Sequence, residues 1–227
     1  MTNGPSQSED TGTPGYMIQD PAPIAAKHPY TFLIPADEVL QAIRPGDALK
    51  FVFLNNAPQA KYEAERMWVE VREISNGTIE GVLDNEPSEI AGMTRGMPIS
   101  APLRFAVATG FQDESCRPPA AEGYREYWDQ CCVDGAILSG DSQIVALYRD
   151  EPQDSGPRKP ADSGWLIATV PMGTDRSAVA AEAFKSVAIG AVLKKDDSWL
   201  HLIDAPVGSA FERDCETGAF LPCQREA

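Results

Sequence analysis

Hydrophobic and polar positions alternate most regularly between Glu65 and Pro87. In "ERMWVEVREISNGTIEGVLDNEP", Met67, Val69 and Val71 alternate with Trp68, Glu70 and Arg72. That is the period of a half-buried strand. Asn76-Gly77 is the preferred dipeptide of a two-residue hairpin turn, and Ile79, Gly81 and Leu83 resume the alternation. Upstream, "ALKFVFLNN" (48–56) is an apolar run ending in turn residues and predicts another strand. Before it, "IPADEVLQAIRPGD" predicts a short helix. Pro35 opens it, Asp37 and Glu38 sit in the first turn, Val39, Leu40 and Ile43 share a face, and Pro45-Gly46 ends it. "GMPISAPLRFAVATGF" supplies one or two more strands. Together these elements predict a small twisted sheet or an incomplete barrel.

The pattern changes after "QDESCRPPAAEG" (112–123), a linker-like stretch carrying Pro118-Pro119. Beyond it, "CCVDGAIL", a Ser-Gly-Asp-Ser turn and "QIVALYRDEP" predict a second hairpin. "QDSGPRKPADSG" reads as a polar loop and "WLIATVP" as a strand. "RSAVAAEAFKSVAIGAVLKK" reads as one helix or two short ones interrupted at Gly190, and "WLHLID" as a final strand. The expected organisation is a disordered leader (1–30), a β-rich module (35–111), a linker (112–124), a second module (125–216) and a tail (217–227). The expected fold class is α+β: two small modules built on antiparallel sheets, the first β-rich, the second with one or two helices packed on its sheet.

Composition narrows the function. The chain has 227 residues, 43% of them hydrophobic, and a formal net charge of −15. Residues 1–127 carry 18 acidic and 10 basic side chains, and residues 128–227 carry 16 and 9. The charge is therefore spread over both halves. Such a surface repels nucleic acid and anionic membranes and attracts a basic partner; it also fits a plain acidic, soluble protein. No run approaches the ~18 apolar residues of a membrane helix, and the N-terminus lacks the basic start and apolar stretch of a signal peptide. Cys116, Cys131, Cys132, Cys215 and Cys223 are odd in number and form no C-x-x-C pair. That predicts reduced thiols and a cytoplasmic protein, with a Cys215–Cys223 bridge disfavoured.

Candidate chemistry is sparse. His28 and His201 are the only histidines, too few for a convincing metal site, and neither a metal nor another cofactor is expected. Cys131 or Cys132 with His201 would suffice for a small hydrolase. Adjacent cysteines in a strand point to opposite faces, however, so at least one belongs to the core. No P-loop, dinucleotide fingerprint or G-x-S-x-G elbow is present. Trp68, Trp165 and Trp199 sit in apolar strand patterns, which suits core packing or an exposed interface anchor.

"YRDEP" (148–152), "DSGW" (162–165) and "LIDAPVGSAFERD" (202–214) together resemble the bacterial immunity-protein domain family of polymorphic toxin loci, formerly a domain of unknown function. The resemblance covers about 130–214. It departs after Trp165: the family carries Phe, Ser-Gly-Asp and acidic residues there, where this chain reads "LIATVPMGTDRS". In the first half, Met67-Trp68-Val69, Gly81, Leu83, Asn85, Pro87 and Gly96 are similar to the uncharacterised YegJ-type bacterial family over roughly 47–110. The first resemblance implies a non-enzymatic protein whose partner is a protein toxin, with no role for nucleic acid or membrane. Asp150, Glu151, Asp162, Trp165, Asp204, Glu212 and Arg213 are the expected partner-binding residues. If the loop holding Asp150, Glu151, Asp154 and Asp162 shares an edge with the "DAPVGSAFERD" ending, the two form a negative patch for a cationic cleft. Phe211 would plug the core. Glu212 and Arg213 would either dock the partner or fix their own loop. The alternative outside the toxin class is a cytoplasmic structural adaptor.

Overall fold

The computed structural model describes residues 16–119, 125–154, 156, 160–171, 174 and 184–224. The chain divides into two compact units: Met1–Pro23 with Ile34–Gly123, and Ile24–Leu33 with Tyr124–Ala227.

The first unit is built around the hairpin. Strands β2 (Ala48–Asn55), β3 (Ala64–Ser75), β4 (Thr78–Leu83) and β5 (Pro98–Pro102) follow one another in an antiparallel sheet. β1 (Tyr16–Ile18) and β6 (Ala108–Gly110) both pair with β2 on the side away from β3, one at each end. Asn76 (φ 51°) and Gly77 (φ 76°) make the turn between β3 and β4, as a two-residue loop of that type requires. The alternation decides the faces: Met67, Val69, Val71, Ile79 and Leu83 are buried with Leu49, Phe51 and Phe53. Helix α2 (Asp37–Gln41) covers this face through Val39 and Leu40. Asp47 is buried, and its two carboxylate oxygens accept from the Arg44 and Gln112 N–H groups, both at 2.9 Å.

In the second unit the sheet order is β10-β7-β9-β8-β11-β12. The strands are β7 (Gln130–Asp134), β8 (Ala146–Arg149), β9 (Asp162–Ala168), β10 (Phe184–Ala188), β11 (Ala210–Arg213) and β12 (Phe220–Pro222). β7 and β9 run parallel, and the other pairs are antiparallel. Helices α3 (Gly135–Ser139) and α4 (Ile189–Leu193) pack their Ile137, Ile189, Val192 and Leu193 on the face that carries Val133, Leu147, Ile167 and Phe211. Trp165 and Trp199 meet edge to face at its centre, ring centroids 5.6 Å apart.

Several expectations are corrected. β7 and β8 form no hairpin, because β9 lies between them. A parallel partner arriving from later in the chain leaves no local mark in the alternation. Of the expected helix 176–195, residues 184–188 are a strand and only 189–193 are helical; 176–183 lie outside the described residues. "WLHLID" is a 3₁₀ turn at Leu200–Leu202, with Trp199 and Ile203 buried and His201 exposed. A run this short fits either period. Within the expected disordered leader, Tyr16–Ile18 is a strand and Ala22–Lys27 is a helix, α1; residues 1–15 lie outside the described residues. Phe220–Pro222, in the expected tail, adds the edge strand β12.

Candidate docking site

The residues that carry the immunity-type resemblance converge at one end of the second sheet. β8 ends at Arg149, and β9, antiparallel to it, begins at Asp162. β7 runs parallel to β9 and begins there too, Gln130 opposite Asp162. The chain enters β11 at the same end, the Gly208 N–H donating to the Arg149 carbonyl at 2.7 Å.

Arg149 ties these segments together from below. Its guanidinium donates to the carbonyls of Ser163 (3.3 Å), Ile203 (3.2 Å) and Ala205 (2.5 Å). It also lies 5.6 Å from the Trp165 ring centroid. The Trp165 indole N–H donates to the same Ile203 carbonyl at 3.2 Å. The buried faces of the Arg and the Trp thus satisfy backbone acceptors that the turn at 203–209 would otherwise leave unpaired. Gly164 completes the corner with φ 75°; a Cβ there would lie 2.0 Å from the Asp150 carbonyl oxygen. Only glycine fits that combination. The Asp150 N–H donates to the Gly164 carbonyl at 2.8 Å across the gap.

Arg213 does the same work at the other end of β11. Its guanidinium donates to the carbonyls of Ile144 (2.7 Å) and Gly218 (3.1 Å), to the Ser198 hydroxyl (3.0 Å) and to the Asp196 carboxylate. It stacks 4.4 Å from the Phe220 ring. Asp214 caps the β11–β12 turn by accepting from the Thr217 N–H and hydroxyl, both at 2.7 Å. These bonds hold its carboxyl below the usual range.

The seven expected docking residues therefore separate. Trp165 is 1% exposed and Arg213 is consumed by internal bonds, so neither offers its side chain to a partner, and both are corrected to architectural roles. Glu212 is half-buried beside Ala146, at the far end of β8. Asp150, Glu151 and Asp204 are exposed, and Asp162 is half-buried with its oxygens accepting from the Gln153 and Gly164 N–H groups. These four carboxylates, with Asp129 just before β7, share the Arg149 end of the sheet. A cavity of about 650 Å³ opens there, lined by Gln130, Cys131, Cys132, Gln153, Asp154, Pro160, Asp162 and Ser186.

Residues 131–224 match the family model of the immunity protein Imm33 domain. No curated protein and no solved structure matches the chain. The Imm33 match takes in β8 to β12, all of β7 but Gln130, and all the motif residues above. It supports the immunity-type resemblance of the second half, and an immunity domain is generally non-enzymatic and directed at a protein toxin.

The nucleophile alternative finds little support in the geometry. Cys131 faces the core and its thiol donates to the Val187 carbonyl at 3.5 Å. Burial pushes its pKa up to about 12, so the thiolate is scarce near neutral pH. Cys132 points to the opposite face of the sheet from the core on which the turn bearing His201 packs. Cys215 sits in the β11–β12 turn while Cys223 bonds back to Ala210. The four residues of β11, a span of ~10 Å, lie between those levels, too far for a disulfide. Among the described residues no group of three or more His, Cys, Asp or Glu is placed to hold a metal, and no helix is long and apolar enough to cross a membrane. Trp68, in the first unit, is half-buried with the Lys50 ammonium 4.4 Å from its ring centroid.

Sequence reasoning missed Arg125, which donates to both oxygens of Asp204 (2.9 and 2.7 Å) from a segment that carries no family motif. It also missed Arg149 as the anchor of the turn. The signal for Arg149 was its place in an otherwise apolar strand, where a charge needs several acceptors.

Proposed function

We propose that this chain is an immunity protein that binds a protein toxin and neutralises it by covering a basic functional surface with the acidic end of the second unit's sheet. The single observation that carries the reading is the gathering of Asp150, Glu151, Asp162 and Asp204 at one end of a domain matched by an immunity family. Neutralisation in this account is steric and electrostatic, and no bond is made or broken. The carboxylates sit on turns held by Arg149, Trp165 and Gly164, so little ordering entropy is lost on docking. A net charge of −15 adds a long-range field that speeds encounter with a cationic partner and fades with salt. The protein acts in the cytoplasm, where it meets the toxin, and the first unit serves as an accessory module.

The test is co-expression with each toxin gene found beside this one. Survival restored by the chain, and lost when Asp150→Asn and Glu151→Gln are combined, supports the proposal. Unchanged killing by every neighbouring toxin sinks it.

A further inference from the structure

Residues 24–33 interrupt the first unit in sequence, between Pro23 and Ile34, yet belong to the second. The Tyr30 phenol donates to the Asp197 carboxylate at 2.5 Å, and its ring meets Tyr127 edge to face at 6.1 Å. The Tyr30 carbonyl accepts from the Tyr127 N–H at 2.9 Å, and the Leu33 N–H donates to the Glu126 carboxylate at 3.2 Å. Across from this segment stands Gly190 in α4. A Cβ there would lie 2.5 Å from Thr31 Cγ2 and 3.1 Å from Tyr30 Cβ. A glycine inside a helix costs stability, and here it admits the segment at close range. None of residues 24–33 is buried. Tyr30 packs only partly against the core, and an element with no buried residue opens at less than the cost of global unfolding.

The strap's contacts reach Glu126 and Tyr127, while Asp129 and Gln130 are held separately by the Ile189 N–H (2.8 Å) and the Ala161 carbonyl (2.7 Å). The Gly190 N–H donates to the Tyr127 carbonyl at 2.9 Å. The Arg125 guanidinium lies 5.0 Å from the Tyr127 ring centroid and grips both oxygens of Asp204. A continuous row, Tyr30, Tyr127, Arg125, Asp204, therefore runs from the N-terminal segment to the acidic end. Its first three members lie outside the Imm33 match and the fourth lies inside. The Arg125 and Asp204 side chains are 49% and 72% exposed. Such a pair adds little stability, but it occupies a carboxylate that a cationic partner would engage.

We propose that segment 24–33 is a strap that holds Arg125 over Asp204, forming an autoinhibitory latch on the acidic end. Opening the strap loosens residues 125–127, frees the Asp204 carboxylate and speeds toxin association. The inhibitory role rests on the docking function proposed above; the latch itself is defined within the chain and is measured without a toxin.

The experiment is carboxylate footprinting of the full chain with a carbodiimide and an amine, read at Asp204 by mass spectrometry, alongside hydrogen exchange of 24–33 and 125–127. Arg125→Ala sets the unlatched level of Asp204 labelling. Tyr30→Ala is expected to raise Asp204 labelling several-fold toward that level and to speed exchange in both segments. Faster exchange in 24–33 with Asp204 labelling unchanged overturns the coupling. If Tyr30→Ala loses the near-ultraviolet signature of the buried tryptophans, Tyr30→Phe takes its place, with a smaller rise expected and no rise contradicting the latch. With a toxin in hand, Arg125→Ala is expected to associate faster than wild type; an equal or slower rate removes the inhibitory role. A wild-type chain that binds no toxin, with Asp204 still released in Tyr30→Ala, sinks the docking function and the inhibition and leaves the latch standing.

Discussion

Replacing Gly164 by alanine attacks the corner on which the docking end is built. Two costs add. An L-residue held at φ 75° costs about 1 kcal/mol. The new Cβ would also lie 2.0 Å from the Asp150 carbonyl oxygen, and backbone atoms on both sides must part to admit it. That movement breaks the 2.8 Å bond from the Asp150 N–H to the Gly164 carbonyl, worth about 1 kcal/mol. It also strains the Arg149 bond to the neighbouring Ser163 carbonyl, worth about another 1 kcal/mol. The expected loss is about 3 kcal/mol. Gly208→Ala is the control. Its φ is 89° but nothing lies within 4 Å of a Cβ, so only the conformational cost of about 1 kcal/mol applies. Urea unfolding followed by the fluorescence of the buried Trp165–Trp199 pair separates the two. With a slope of about 1.5 kcal/mol/M, the midpoints fall by roughly 2 M and 0.7 M. Equal shifts for the two variants would refute the close approach as the reason for glycine at 164.

Other consequences are open to measurement. Arg213→Ala strips partners from the Ile144 and Gly218 carbonyls and from Asp196, and is expected to cost about 3 kcal/mol in the same urea assay; toxin affinity per folded molecule stays unchanged, and a folded variant that no longer binds would restore Arg213 to the docking set. The exposed Cys132 and Cys215 are expected to react with a thiol reagent in the native state at mildly alkaline pH, while Cys131, its pKa pushed up to about 12, reacts only on unfolding; rapid native labelling of Cys131 contradicts its burial. Tyr30 has a pKa raised to about 12, first by its hydrogen bond to Asp197 and then by burial. A raised pKa stabilises the fold fully below the ordinary tyrosine value of about 10, and that contribution is lost as the pH climbs from about 10 through 12. Ultraviolet titration should show a late-ionising tyrosine component in wild type that is missing from Tyr30→Phe.

Local order was legible in the sequence; long-range order was not. The Asn76-Gly77 turn, the β3–β4 alternation and the α2 helix follow from patterns within a few residues, and the structure reproduces them. The insertion of β9 between β7 and β8 depends on a parallel pairing with no local signature. The docking of 24–33 on Gly190 left one trace, a glycine inside an apolar run, which reads equally as a helix break. In the candidate site, the sequence singled out the motif residues but not the work each does. Arg213 and Trp165 look like a charge and an aromatic ready for a partner, because sequence reports chemical type and not burial. In the fold both are spent on backbone carbonyls. The carboxylates Asp150, Glu151 and Asp204 keep their exposure, and the sheet's connectivity, invisible in the sequence, gathers them at one end.

The central claim is that this acidic end captures a toxin, and the most direct measurement is affinity capture by the tagged full-length chain from its native cells across a salt series. Wild type and the Asp150→Asn/Glu151→Gln variant are compared, and each captured protein is expressed alone to test whether it kills. The account predicts one stoichiometric, basic protein that is lethal on its own, is released by salt and is lost or much weakened with the variant. Capture of the same lethal partner by both proteins, insensitive to salt, would contradict docking through the acidic end, and no lethal partner at low salt would contradict the immunity function itself.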